Sequence, residues 1–278
     1  MISRLNRYSN LGQRVIAGVI GAAAIIFAIW FSSWTYFLAF SVICAFTLLE
    51  FYKLVGLDGH FPLKFWGTFT GLMVYTTAFF IQKGILPVQY YFLLFPLGSL
   101  VFFIKLYKRD DKKPFTNIAF TFLGIIYVAV PFALLHGIVF ILGDYSYQII
   151  LGLMLIIWAS DTGAYFAGTK FGKHKLFERV SPKKSWEGSI GGAATAFVMA
   201  LAISLFYDDL GTWEWLILAG IAIITATYGD LVESLFKRSI AIKDSGSSIP
   251  GHGGFLDRFD GLLLSVPFIL TYLALFHY

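Results

Sequence analysis

The chain has 278 residues, of which 58% are apolar and only 13% are charged, a balance outside the range of soluble globular domains. Its 30 Phe, 15 Tyr and 7 Trp residues exclude a disordered, collagen-like or water-soluble coiled-coil chain. The single cysteine, Cys44, excludes an intramolecular disulfide framework and a cysteine-based metal site. We therefore predict an all-α, polytopic integral membrane protein, in which the net charge of +5 reflects topology and nucleic acid is not a partner.

Nine apolar stretches qualify as transmembrane helices, some of them marginally, since one crossing takes about 20 residues with a range of about 17 to 25. The first resembles a signal sequence, but its small residues lie inside the apolar run, so we predict an uncleaved span. In chain order the predicted spans cover residues 15–30, 34–50, 65–82, 89–107, 117–141, 147–168, 189–207, 213–236 and 260–276.

The basic residues predict the orientation of these spans. With a cytoplasmic N-terminus, every Lys and Arg except Lys83, that is 20 of the 21, falls on the cytoplasmic side. The outer loops then hold acidic residues, as the positive-inside rule requires. Adding or removing one span would destroy this sorting, so the charges support nine spans and an N-terminus inside.

The polarity of the chain changes near residue 116. Spans before this point contain almost no ionisable residue apart from Glu50, whereas carboxylates enter the later helices and the cytoplasmic segments 169–188 and 237–259 are long and charged. We predict an N-terminal scaffold of about four helices over 1–116 and a catalytic region of about five helices over 117–278. The halves show no inverted duplication of the kind typical of transporters.

Asp161 lies inside a predicted span, where a carboxylate is costly unless it is paired, metal-bound or exposed to water. It shares one helical face with Tyr165 and Gly168. Gly168 and Gly172 form a small-residue pair that favours close approach of another backbone. The alternative to a functional role is an interhelical hydrogen bond or ion pair.

Further carboxylates lie at the ends of the last two spans. Asp230 begins a stripe at helical spacing that continues through Glu233, Ser234 and Lys237, while Asp257 and Asp260 open the final span. So many carboxylates at one membrane surface favour a divalent cation, and all-oxygen ligation favours Mg²⁺ or Mn²⁺. The alternative is that the last two aspartates cap a helix and pair with Arg258.

Two cytoplasmic segments are suited to bind phosphate. Residues 237–254 combine glycines, serines, basic residues and His252, as phosphate-cradling loops do, although no Walker A pattern is present. Residues 181–188 place Lys183 and Lys184 beside Trp186, which suits a phosphate at headgroup level. These features predict a polyphosphate and magnesium site at the inner surface, open to lipid. They do not distinguish a kinase, a nucleotidyltransferase and a phosphatase.

Residues 234–260 read SLFKR, four residues, KDSG, two residues and IPGHGGFLDRFD. This pattern resembles the signature of the phosphatidate cytidylyltransferases, or CDP-diacylglycerol synthases, and the resemblance extends to 181–188 and 161–165. It implies transfer of CMP from CTP to phosphatidate, which yields CDP-diacylglycerol and pyrophosphate with Mg²⁺ in phospholipid biosynthesis. It also suggests a K⁺ ion beside the Mg²⁺, a homodimer, and a bacterial inner-membrane location with the active site facing the cytoplasm.

The resemblance also implies roles for individual residues. The metal ligands are Asp230, Asp257 and Asp260, with Asp161 and Glu233 as further ligands or supporting groups. Lys237 and His252 join the three aspartates as catalytic residues. The remaining substrate contacts are Lys183, Lys184, Ser185, Ser234, Arg238, Lys243, Gly253, Gly254 and Arg258.

Three alternatives differ in their requirements. A CTP-dependent polyisoprenol kinase would share the chemistry but not the uninterrupted signature. A CDP-alcohol phosphotransferase would need a D-G-x2-A-R-x8-G-x3-D-x3-D pattern, which the sequence lacks. An ion-coupled transporter would place carboxylates near the bilayer midplane between paired broken helices, whereas these cluster towards the inner surface.

Overall fold

The computed structural model describes residues 18–242 and 253–277. Within them the fold is almost entirely helical, as predicted. A 3-10 helix, Val88–Leu93, precedes α4, and a π-helical turn, Ile125–Ala129, joins α5 to α6. The α-helices are α1 Gly18–Phe31, α2 Ser33–Leu57, α3 Lys64–Gln82, α4 Leu94–Leu106, α5 Pro114–Gly124, α6 Val130–Val139, α7 Gln148–Phe171, α8 Trp186–Ile203, α9 Thr212–Ser239 and α10 Leu256–Phe276.

Each predicted span coincides with helix in the described part of the chain, and seven helices are long and apolar enough to cross a membrane. The helix α1 is shorter over its described residues, and α3 is not among the seven. The class of polytopic helical membrane protein is thus confirmed, while the count of nine and the cytoplasmic N-terminus stay predictions. The seven cover Ser33–Leu57, Val88–Leu106, Pro114–Val139, Gln148–Phe171, Trp186–Ile203, Thr212–Ser239 and Leu256–Phe276.

The described residues form two compact units. The first comprises those of 1–133 and 240–258, and the second those of 134–239 and 259–278. The boundaries of these units fall inside α6, at the end of α9 and inside α10. Polarity changes along the chain, whereas packing also groups distant segments, and residues just before Asp257 pack with N-terminal helices. The scaffold and catalytic roles of 1–116 and 117–278 stay predictions.

Tyr52 of α2 organises the core of the first unit. Its ring fills the space beside two glycines, Gly67 of α3 and Gly124 of α5. A Cβ atom built on Gly124 would lie 2.6 Å from the ring, so neither glycine tolerates a side chain without displacement of Tyr52. The Tyr52 hydroxyl donates a hydrogen bond to the Thr121 carbonyl at 2.7 Å. Three helices are thereby joined around one buried aromatic residue.

A buried ion pair also stabilises the first unit. Lys105, near the end of α4, pairs with Asp111, and their side chains are 1% and 2% exposed. Lys105 Nζ also donates to the Phe61 carbonyl at 2.7 Å, and Asn117 donates to Asp111 at 2.7 Å. Each charge therefore has the additional hydrogen bonds that a buried pair needs.

In the second unit, α7 and α8 pack through small residues. A Cβ atom on Gly192 would lie 2.8 Å from the Ser160 carbonyl oxygen, and one on Gly163 would overlap Thr195. The predicted close approach at Gly168 is confirmed, because its Cβ position is 3.6 Å from the Gly188 Cα atom. Such seams allow backbone contact between helices where the hydrophobic effect is weak.

A short antiparallel hairpin, which the sequence did not predict, joins α7 to α8 within the otherwise helical fold. It pairs β1 Lys175–Phe177 with β2 Ser181–Ser185. The strands are too short and too charged to give a strand pattern in the sequence. Glu187 stabilises the turn before β1, because it accepts hydrogen bonds from the backbone N–H groups of Lys173 and His174 at 3.1 and 3.2 Å.

Candidate active site

The polar stripe predicted on α9 is formed in the structure, and Asp230 is its most connected member. One carboxylate oxygen accepts a hydrogen bond from the Ser234 hydroxyl at 3.1 Å. The other pairs with Lys184 Nζ of the hairpin at 2.7 Å. The Asp230 side chain is nevertheless 43% exposed. It therefore keeps an accessible surface for a further ligand.

Glu233 and Lys237 form a separate pair on the same helix. They are four residues apart, and Glu233 is 1% exposed while Lys237 is 12% exposed. The pairing satisfies a carboxylate that would otherwise be costly to bury. A phosphate bound by Lys237 would compete with Glu233, so this pair is less open to a ligand than Asp230.

Two glycines bring the helices α9 and α10 into backbone contact. A Cβ atom on Gly229 would lie 2.9 Å from the Cα atom of Gly261 and 3.0 Å from the carbonyl carbon of Asp260. A Cβ atom on Gly261 would lie 3.1 Å from that of Ala226. Because Asp230 follows Gly229 and Asp260 precedes Gly261, the crossing places these carboxyl groups at the same point of the second unit.

Several carboxyl groups of the described residues lie close to one another at this crossing. Asp260 is half-buried and lies within electrostatic range of Asp230, Asp161 and Lys184. One Asp260 oxygen accepts the Gly261 N–H at 2.7 Å, and Asp161 is exposed on α7. Among the described residues of the second unit, three carboxyl groups thus lie within range of one ammonium group, a grouping that a bound cation would stabilise. We refer to Asp161, Asp230, Asp260 and Lys184 as the carboxylate cluster.

The carboxylate cluster brings carboxyl groups into electrostatic range of one another, but among the described residues these side chains are not arranged around a common metal position. Within the described residues of either unit, no three His, Cys, Asp or Glu side chains are arranged to hold a metal ion. The predicted ligand set of Asp230, Asp257, Asp260, Asp161 and Glu233 therefore stays a prediction.

Asp257 belongs to the first unit and lies in the first turn of α10. One of its carboxylate oxygens accepts the Gly254 N–H at 3.0 Å. Gly253 adopts a left-handed backbone with φ of 84°, and a Cβ atom there would lie 2.7 Å from the same oxygen. This bond to the backbone just before α10 is local, and the metal-binding role of Asp257 stays a prediction. Arg258 beside it is exposed.

The hairpin separates two lysines that are adjacent in the sequence. Successive side chains of a strand point to opposite faces, and Lys184 pairs with Asp230 while Lys183 is exposed. The buried Ser185 hydroxyl accepts the Gly188 N–H at 3.2 Å and so caps α8. Ser185 thus has a structural role in addition to its predicted substrate contact.

Some predicted residues are not placed near these groups by the structure. Lys243 and His252 lie outside the described residues, and Arg238 is exposed at the end of α9. His174, which has no predicted role, has its Nδ1 atom 2.6 Å from Glu187. Glu50, likewise without a predicted role, is buried and accepts the Leu256 N–H at 3.0 Å. A lone carboxylate in an apolar span was the signal for that residue.

Comparison with known proteins agrees with the sequence pattern over nearly the whole chain. The profile of the cytidylyltransferase family matches residues 12–276. A Haemophilus influenzae protein named phosphatidate cytidylyltransferase is 34% identical over 284 residues, which cover 93% of this chain and 96% of that protein. A Bacillus subtilis protein of the same name is 34% identical over 275 residues, which cover 96% and 99%. This chain therefore belongs to the cytidylyltransferase family of nucleotidyltransferase enzymes.

Proposed function

We propose that this protein is a phosphatidate cytidylyltransferase, which converts CTP and phosphatidate to CDP-diacylglycerol and pyrophosphate in phospholipid biosynthesis. The observation that carries the proposal is the likeness, over almost the full length of both chains, to two bacterial proteins of that name. The exposed Asp230 beside Lys184 provides the kind of charged surface that this chemistry needs.

In this reaction a phosphate oxygen of phosphatidate attacks the α-phosphorus of CTP. A new phosphorus–oxygen bond forms as the bond from the α-phosphorus to the bridging oxygen breaks, and pyrophosphate leaves with that electron pair. The attacking phosphate is already anionic at neutral pH, so the enzyme must position two anions and neutralise charge more than move a proton. Lys184 would contribute a positive charge next to the reacting phosphates.

The carboxylate cluster suits Mg²⁺ chemically. Its donors are all carboxylate oxygens, which Mg²⁺ prefers, and they outnumber the nearby ammonium group. Asp230 and Asp260 would hold the ion, and Asp257, three residues before Asp260 in the sequence, is retained as a predicted ligand. When bound, Mg²⁺ neutralises phosphate charge during transfer.

Several finer properties belong to the same proposal. We propose a bacterial inner-membrane location with the carboxylate cluster facing the cytoplasm, because CTP is a cytoplasmic nucleotide and the basic residues sort to that side. A K⁺ ion beside the Mg²⁺ and a homodimer are proposed on the family resemblance alone. Each is tested separately, by K⁺ dependence of activity and by the mass of the protein in detergent.

The test uses purified protein in detergent–lipid micelles with phosphatidate, Mg²⁺ and CTP labelled at either the α- or the γ-phosphate. We expect the α-label, and not the γ-label, to enter the organic phase, and EDTA to abolish the transfer. Ser99→Ala provides a control and should retain most of the activity, because the exposed Ser99 hydroxyl donates to the Phe95 carbonyl within α4 and has no predicted role in the site.

Three other outcomes of this assay would contradict the proposed reaction or its dependence on Mg²⁺. Entry of the γ-label would make the protein a lipid kinase. If neither label moves while a relative assayed in parallel is active, the acceptor is a different lipid or the protein is a transporter. Transfer that continues in EDTA would separate the activity from any divalent ion.

A further inference from the structure

The start of α10 is bonded to the N-terminal part of the chain through Glu50. This carboxylate lies in the last turns of α2 and is 6% exposed. It accepts a hydrogen bond from the Leu256 N–H at 3.0 Å, across 206 residues of sequence. Leu256 is the first residue of α10, so its N–H is one of the donors that a helix leaves unsatisfied. Glu50 therefore acts as a cap supplied by another helix.

A second contact joins the same two segments. Phe46, four residues before Glu50 and so on the same face of α2, stacks on Phe255 with ring centroids 5.3 Å apart and planes at 12°. Offset stacking of this kind adds to the stability of a contact beyond the area it buries. Two consecutive residues, Phe255 and Leu256, are thus held by one face of α2.

The bonded residues immediately precede Asp257. The Asp257 carboxylate in turn accepts the Gly254 N–H, so the segment 254–257 is held by α2 and by this local hydrogen bond. A shift in the first turn of α10 would move Asp257 with it, because the side chain direction follows the helical backbone. All of these groups belong to the first unit.

We propose that Glu50 is a positioning residue, which with Phe46 fixes the start of α10 and thereby the Asp257 carboxylate used in magnesium-dependent transfer. The inference rests on the proposed function. It gives the N-terminal helices a task beyond that of a scaffold, since α2 supplies the acceptor that residue 256 needs. Groups that orient metal ligands typically change metal affinity or activity by about 10- to 100-fold when removed.

The experiment compares Glu50→Ala with Glu50→Gln in the full chain. The glutamine keeps an oxygen acceptor of the same reach, whereas alanine removes it. We expect Glu50→Ala to raise the Mg²⁺ concentration for half-maximal transfer by about tenfold and Glu50→Gln to stay within about threefold of the wild type. Hydrogen exchange of the amides at 255–259 should accelerate by about tenfold or more in Glu50→Ala, because the first turn opens more often.

The matched control is Tyr52→Phe on the same helix. It removes an equally buried hydrogen bond, to the Thr121 carbonyl, without touching residues 254–257. A purely structural effect of altering α2 would lower thermal stability in both variants but would leave the Mg²⁺ requirement unchanged. If Glu50→Ala fails to accumulate, Phe46→Leu tests the same positioning through the ring contact, with the same two measurements.

Two results would overturn the inference. Unchanged exchange at 255–259 in Glu50→Ala would mean that Glu50 does not hold the start of α10. Loss of activity in Glu50→Gln as great as in Glu50→Ala would mean that the charge, and not the acceptor, is required. If the wild type transfers no label at all, the proposed function fails, while the exchange measurement still decides whether Glu50 fixes the helix.

Discussion

Each of the two units contains an aspartate paired with a lysine, and the two pairs differ in every other respect. In the first unit Lys105 and Asp111 are 1% and 2% exposed, and Asp111 also accepts hydrogen bonds from Asn117 and the Lys113 N–H. In the second unit Lys184 and Asp230 are 26% and 43% exposed. The same pair of residue types is therefore closed in one unit and open in the other.

The difference in exposure distinguishes a pair that is suited to stabilise the fold from a pair whose charges stay accessible. The Lys105–Asp111 pair is buried and hydrogen-bonded to neighbouring groups, so it offers little surface to a ligand, and removing one partner leaves an uncompensated charge. An open pair contributes little to stability, but its charges remain available to phosphate or to a cation. Exposure, and not the mere presence of a lysine–aspartate pair, is the reason for which we propose Asp230 rather than Asp111 as the carboxylate that acts in the reaction.

Breaking the closed pair should give the largest effect. Lys105→Met leaves Asp111 buried without its cation, so we expect the free energy of unfolding to fall by about 3–5 kcal/mol. The folded fraction should keep the wild-type Mg²⁺ requirement. Unfolding is followed by denaturant titration in detergent, with Lys184→Met as the control, which should lose activity and little stability. Equal destabilisation by both substitutions would contradict the comparison.

Breaking the open pair should affect catalysis instead. Asp230→Asn keeps the size of the side chain but removes its charge, so we expect kcat/KM for CMP transfer to fall by about 10²- to 10³-fold, as for loss of a well-placed charge-stabilising group. Thermal stability should change by little, because the side chain is exposed. Asp209→Asn, a carboxylate of an outer loop in the predicted topology, is the control. An Asp230→Asn protein with wild-type activity would exclude Asp230 from the site.

The crossing of α9 and α10 offers a steric test. Gly229→Ala would place a Cβ atom 2.9 Å from the Gly261 Cα atom, so we expect a loss of about 1–3 kcal/mol of stability by overpacking and reduced transfer activity. Gly220→Ala is a matched control on the same helix, since a Cβ atom there meets nothing within 4 Å. Equal tolerance of both alanines would mean that the crossing does not set the position of the aspartates.

The smallest effect is a dependence of stability on pH. Burial of Asp111 favours its neutral form, but hydrogen bonds from Lys105, the Lys113 N–H and Asn117, together with the Lys105 charge, outweigh burial and lower its pKa below the ordinary 3.8. A depressed pKa contributes stability above the ordinary value, and this is lost as the pH falls through the folded pKa. The thermal midpoint should therefore fall more steeply below about pH 4 in the wild type than in Asp111→Asn. Parallel curves would contradict this.

The helices and the polar stripe were predictable because they depend on local patterns. Apolar runs located every helix, although α2 continues to Leu57 beyond its predicted end at residue 50. Helical spacing alone placed Asp230 and Ser234 on one face, and the structure joins them by a hydrogen bond. The long signature placed the chain in its family before any contact was known.

The partners of these residues were not predictable, since they come from distant segments. Nothing near Lys184 in the sequence indicates that it pairs with Asp230, and nothing near Glu50 indicates that it caps α10. The hairpin was missed because its strands are short and charged. Because successive side chains of its second strand point to opposite faces, Lys183 and Lys184 point in different directions although they are adjacent in the sequence.

The sequence by itself determined the membrane class, the approximate position of each helix and the chemical family, because hydropathy and motif spacing are properties of contiguous residues. Only the tertiary structure decided which carboxylates are closed and which stay open. That distinction depends on packing between segments: glycines let α9 and α10 touch, and a face of α2 holds the residues before Asp257.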